Sequence, residues 1–110
     1  MDGSDRIERE RERQIMNKGY SNEHDDRHEE GELAEAAIYY AMRQGVRDTV
    51  VDISPYGANS KGKLGDLIWP FNNSPTPEPS NRIHELEKAG ALIAAEIDRL
   101  ERKEDYESKE

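Results

Sequence analysis

The hydrophobic positions of this chain fall into five blocks separated by polar stretches, and the spacing inside each block predicts its element. In the first, Ile7 and Ile15 share a helical face with Arg11 and Gln14. A helix from Asp5 to about Lys18 would therefore carry a thin aliphatic stripe and turn Arg11 and Gln14 toward the rest of the domain. Asp5 is placed to cap it with Glu8 three positions on, and Gly19 supplies the positive φ that ends it. In the second block Leu33, Ala37, Tyr40 and Ala41 form one face and Ala34, Ile38 and Ala41 an adjacent one. This is a core helix from about Arg27 to Met42 or Gln44, whose small residues admit a close neighbour. Asp26 as N-cap and Glu29 at the third helical position would form its capping box.

The third block, Val46, Thr49, Val50, Val51 and Ile53, is β-prone and leads into a Ser54-Pro-Tyr-Gly57 turn, so it predicts one short strand or a hairpin. Ala58 to Gly65 reads as mobile. Leu64, Leu67, Ile68, Trp69 and Phe71 then make the densest apolar cluster, with Trp69 a core anchor or a pocket wall, before an extended proline-rich connector from Asn72 to Pro79. In the last block Ile83, Leu86, Gly90, Ile93, Ile97 and Leu100 recur at alternating steps of three and four. That is a seam for packing on other helices, in a helix from Ser80 or Asn81 to about Arg102. Gly90, flanked by Ala89 and Ala91, would cross Ala37 or Ala41 closely, and the same seam suits self-association. The predicted fold is mostly α: a small single domain over residues 5–102 with three main helices, an irregular middle and one short strand or hairpin. Residues 1–4 are expected to be disordered and 103–110 to be charged and frayed.

Composition narrows the function classes. The 110 residues allow one domain with a modest core, which oligomerisation would enlarge. A net charge of −9 argues against a general binder of nucleic-acid backbone, which needs a basic surface to displace counterions. The absence of cysteine excludes disulfides, thiolate metal sites and cysteine nucleophiles, and it fits a reducing cytoplasm. No long apolar run or signal peptide is evident, so a soluble, cytoplasmic protein without a membrane partner is expected.

Candidate chemistry concentrates in the turn Glu23-His24-Asp25-Asp26-Arg27-His28, which offers two imidazoles and three carboxylates in six residues. With Asp26 used as a cap, His24, Asp25 and His28 are the functional candidates. Tyr20 just before the turn and Trp69 provide flat surfaces on which a ring can stack, while Arg11, Lys61 and Lys63 could meet a phosphate. Glu29, Glu32 and Glu35 repeat every three residues along one strip of the second helix. Such a strip is a solvated acidic face or, with Asp66, a magnesium site.

The stretches Glu23-His-Asp-Asp-Arg-His28, Gly31-Glu-Leu-Ala34, Trp69-Pro-Phe71 and Lys88-Ala-Gly-Ala-Leu92 resemble a family of small uncharacterised proteins of tailed phages and prophages, with a pattern close to EHDDxHxxGELAxAA and KAGALIxAEIERL. Tyr20 stands where that family usually carries Trp. The resemblance implies an accessory protein acting in the cytoplasm of an infected bacterial host. Counter-defence by sequestering a nucleotide signal is the leading expectation, without catalysis or a cofactor. Glu32-Leu-Ala-Glu35 is also similar to the half-motif of MazG-like nucleotide pyrophosphohydrolases, which implies Mg held by Glu29, Glu32, Glu35 and Asp66; Lys63 stands where the second acidic pair should begin. A third class is an acidic inhibitor that occupies a basic site on a host defence protein. The expected partners are accordingly a small ligand or a host protein, together with further copies of the chain.

Overall fold

Two alanine-rich helix faces meet at the centre of the molecule. The computed structural model describes residues 1–53 and 60–108; the expected Ser54–Gly57 turn, Ala58 and Asn59 lie outside the described residues. In chain order the elements are α1 (Gly3–Asn17), α2 (Asn22–Asp26), α3 (Glu32–Ala41), α4 (Gln44–Arg47), β1 (Val50–Asp52), β2 (Lys61–Lys63), α5 (Leu64–Ile68) and α6 (Arg82–Ser108). The fold is mostly α, as expected. Leu33, Ala36 and Ala37 of α3 pack on Ala89, Leu92 and Ala95 of α6, and Tyr40, Trp69 and Phe71 close the cluster from one side. Small side chains allow this approach.

The face of α6 that this contact uses is not the predicted seam. Ile83, Leu86, Ile93, Ile97 and Leu100 are 53, 46, 49, 51 and 44% exposed, and the buried face carries Glu85, Glu96 and Arg99 beside its alanines. Polar residues are tolerated there because each is ion-paired: Glu85 with Arg47, and Glu96 with Arg99. Gly90 faces neither Ala37 nor Ala41. A Cβ there would lie 2.5 Å from Cδ1 and 2.7 Å from Cγ1 of Ile7, so the glycine admits α1. Gly90→Ala is expected to cost ~1–3 kcal/mol by overpacking, outweighing the gain in helix propensity. Equilibrium urea unfolding of Gly90→Ala alone and combined with Ile7→Ala checks this, the second change restoring most of the loss.

Other boundaries moved for local reasons. The cap of α1 is Asp2, which accepts from the Asp5 amide, so α1 includes residues expected to be disordered. It ends as predicted, with Gly19 at φ 72° and the Tyr20 amide bonded to the Gln14 carbonyl. Asp26 does not cap the next long helix. Ser21 caps the short α2, Gly31 at φ 87° breaks the chain, and α3 starts only at Glu32. Asp26 instead pairs with Arg102 of α6 at 2.7 Å, and Glu29 lies in the turn before α3. At its far end α6 continues to Ser108, its last turns being rich in strong helix formers. The predicted hairpin exists as β1 paired antiparallel to β2, Val51 opposite Gly62, so Lys61–Lys63 is strand rather than mobile loop. Val46 belongs to α4 instead.

The C-terminus of α3 is held by two arginines. Arg47, 2% exposed, donates to the carbonyls of Tyr39 and Tyr40 and to Glu85. Arg82 donates to the carbonyls of Tyr40, Ala41 and Met42. Cations at this end satisfy the free carbonyls and oppose the helix dipole. They also fix the two tyrosines that lead into the site.

Candidate functional site

A cleft of about 630 Å³ opens between α1, α3 and α6, with the Tyr20–His28 turn on one rim and the 69–74 segment on another. Its wall is a continuous series of rings. Tyr20 stacks on His24 at 4.4 Å and 3° between planes; His24 meets His28 edge-on at 4.9 Å, His28 meets Phe71 at 5.2 Å, and Phe71 meets Trp69 at 5.2 Å. Tyr40 completes the arc, 5.9 Å from Trp69, and burial pushes its phenol up to about 12, which keeps its proton in place as a donor.

The turn that supplies the two histidines is built from behind. Asp25 is fully buried and accepts from Arg11 at 3.1 Å through one carboxylate oxygen, while the other lies 2.9 Å from Nδ1 of His24. Arg11 also lies 3.7 Å from Asp98 on α6. Asp25 and Arg11 therefore orient His24 and do not line the cleft. His28 lies 3.2 Å from Glu32, whose other oxygen accepts from the Glu30 amide at 2.6 Å. Burial would raise the Glu32 carboxyl, but backbone amides and His28 prevail and hold it below its ordinary value.

The cations inside the cleft are not those named as candidates from the sequence. Arg13 grips Glu10 through two nitrogens, at 2.7 and 2.6 Å, and the pair neutralises itself. Lys18 and Lys88 also line the cleft, and among the described residues no ion pair closes on either of them. The Lys88 ammonium sits 5.4 Å from the Tyr40 ring. Gln14 and Trp69 line this cleft, and their Oε1 and Nε1 atoms are buried without a hydrogen-bond partner among the described residues. Each such atom costs ~1–3 kcal/mol while it stays unsatisfied.

The structure thus brings Tyr20, His24, His28 and Trp69 together around one cavity. Lys61 and Lys63 do not join them. Both are exposed on β2, and Lys63 lies 3.6 Å from Asp48. The cations at the cleft are Arg13, Lys18 and Lys88, not Arg11, Lys61 and Lys63. Lys88 lies in the Lys88–Leu92 stretch that carries the resemblance, which is the available signal; helical spacing turns Gln14 inward, and nothing in the spacing marks Lys18. The four carboxylates of the magnesium alternative are not gathered. Glu32 is tied to His28, Glu35 is exposed on α3, Glu29 lies in the preceding turn, and Asp66 is exposed on α5 at a separate hollow beside Tyr39 and Lys63. Among the described residues the one three-member group of metal-ligand type is Glu10, His84 and Glu87, and Arg13 already holds its buried carboxylate.

No family model matches the chain, and no curated protein and no solved structure matches it either. No helix among the described residues is long and apolar enough to cross a membrane.

Glu10 and Glu85, like Glu32, tie stability to pH. Burial raises both, but Arg13 in one case and Arg47 with the Ser80 amide in the other outweigh it, so both lie below the ordinary value of 4.5. A depressed carboxyl contributes stability that is fully present above its unfolded value and lost as pH falls through its folded one. Thermal unfolding followed by circular dichroism is therefore expected to show stability falling as pH drops below about 4.5. Glu85→Gln should flatten that dependence.

Proposed function

We propose that the chain binds a small anionic ligand carrying a flat ring, of the nucleotide kind, and holds it without turnover. The observation that carries this reading is that the arc of aromatic rings lines one cavity of about 630 Å³ together with Lys18 and Lys88, two cations on which no ion pair closes among the described residues. A ring gains stacking against Tyr20, His24 or Trp69, and a phosphate gains charge-assisted bonds from the lysines. The volume lies within the range usual for small-molecule sites. The local cations offset a net charge of −9 only at short range, so binding should weaken as salt rises. In the setting that the likeness to tailed-phage proteins implies, such a protein would sequester a nucleotide signal used in host defence, in the cytoplasm of the infected cell.

The test uses the purified chain and a panel of linear and cyclic nucleotides with magnesium. Unbound material is removed, the protein is heat-denatured, and the released compounds are separated by chromatography. Intact recovery of one nucleotide is the expected result. Recovery of cleaved products would replace sequestration with hydrolysis. If nothing is retained or turned over, the ligand reading fails and a protein partner for the acidic surface takes its place.

A further inference from the structure

The seam of α6 that the core does not use forms a stripe along its outer face. Ile83, Leu86, Ile93, Ile97 and Leu100 each leave about half of their surface in water. The gap in the series, at Gly90, is filled by Ile7 reaching across from α1. The result is six apolar layers over 18 helical positions, ~27 Å at 1.5 Å per residue. Monomeric proteins seldom leave a contiguous apolar surface of this kind uncovered.

We infer that this stripe is covered by the same stripe of a second copy, the two α6 helices running antiparallel about a two-fold axis near Gly90 and Ile93. The spacing is its own reverse. Antiparallel pairing sets Ile83 against Leu100 of the second copy, Leu86 against Ile97, and Ile93 against the Ile7-covered Gly90, so every layer meets an apolar layer. Charge selects the same orientation. The last turns of α6 carry Glu101, Glu104, Asp105 and Glu107 against Arg102 and Lys103, a balance of −2, with Arg102 already paired to Asp26, and its first residue is Arg82. Antiparallel pairing brings each acidic end beside Arg82 and the positive end of the partner helix, whereas parallel pairing would set the two acidic ends side by side. Because the chain carries −9 overall, association through this apolar stripe strengthens as salt screens the repulsion between copies. The inner face of the same helix carries Lys88 and Leu92 of the cleft, so dimerisation leaves the cleft open.

Sedimentation equilibrium over a wide range of protein concentration, at low and high salt, tests the proposal. The expected result is a mass rising from 12.6 kDa toward twice that value, more readily at high salt. Ile97→Lys replaces an exposed residue, so its helicity should match the parent. Because the two-fold axis places the change in the interface twice, its dimerisation constant should weaken by about 100-fold or more. The chain has no cysteine, so orientation is read directly by oxidation. A mixture of Leu86→Cys and Ile97→Cys chains should form the mixed disulfide, while Ile97→Cys alone should not crosslink. A monomer at every concentration, association that weakens with salt, a dimer that survives Ile97→Lys, or crosslinking of Ile97→Cys with itself would each overturn the proposal.

Discussion

Replacing Arg47 by methionine is expected to remove ~3–5 kcal/mol of stability, a large fraction of the ~5–15 kcal/mol usual for a folded domain. Arg47 is 2% exposed and Glu85 5% exposed, and their 2.9 Å contact lies between α4 and α6. Methionine keeps the apolar stem but leaves the Glu85 carboxylate buried without its main partner. It also strips donors from the carbonyls of Tyr39 and Tyr40 at the end of α3. Urea unfolding followed by circular dichroism gives the loss directly. The double variant Arg47→Met with Glu85→Leu should recover much of it, because removing both charges also removes their desolvation cost. A single-variant loss below about 1 kcal/mol would show that the pair behaves like an exposed one.

Lys88→Gln is expected to weaken nucleotide binding by ~10–100-fold, the worth of one charge-assisted hydrogen bond of ~1.5–3 kcal/mol. Lys18→Gln should act in the same direction. Lys61→Gln and Lys63→Gln should leave affinity unchanged, since both side chains point into solvent on β2, away from the cleft. Isothermal titration with whichever nucleotide the panel recovers measures all four. Equal losses from the β2 and cleft lysines would indicate a diffuse electrostatic effect rather than a built site, and no loss from either cleft lysine would refute the assignment of the anion's position. Trp69→Phe separates ring stacking from hydrogen bonding, because it keeps a flat apolar wall and removes the buried Nε1, which has no partner among the described residues.

The candidate site was half legible in the chain. Tyr20, His24 and His28 belong to one short turn, and local sequence places them near each other whatever the tertiary packing; the structure sets them ring against ring. Asp25 belongs to the same turn, yet its carboxylate turns inward to Arg11, a contact 14 residues away that depends on how α1 lies over the turn. Lys18 is the residue that ends α1, and Lys88 lies in α6. Only the packing of those helices brings them to one cavity, so no spacing rule could have joined them.

What the sequence determined by itself follows from short-range chemistry. Alternating steps of three and four residues specify helices, Gly19 stops the first of them, the β-prone run at Val50 to Asp52 pairs as a strand, and Asn81 caps the long last helix by accepting from the amides of Ile83 and His84. What only the tertiary structure decided is which face of each helix is buried. The large aliphatic residues of α6 look like its core, but the alanine face packs inward. Alanine lets α3 approach closely, and the ion pairs to Arg47 and Arg99 relieve the charges that accompany it. Periodicity reports that a stripe is apolar; it carries no information on whether the protein's own helices or another molecule will cover it.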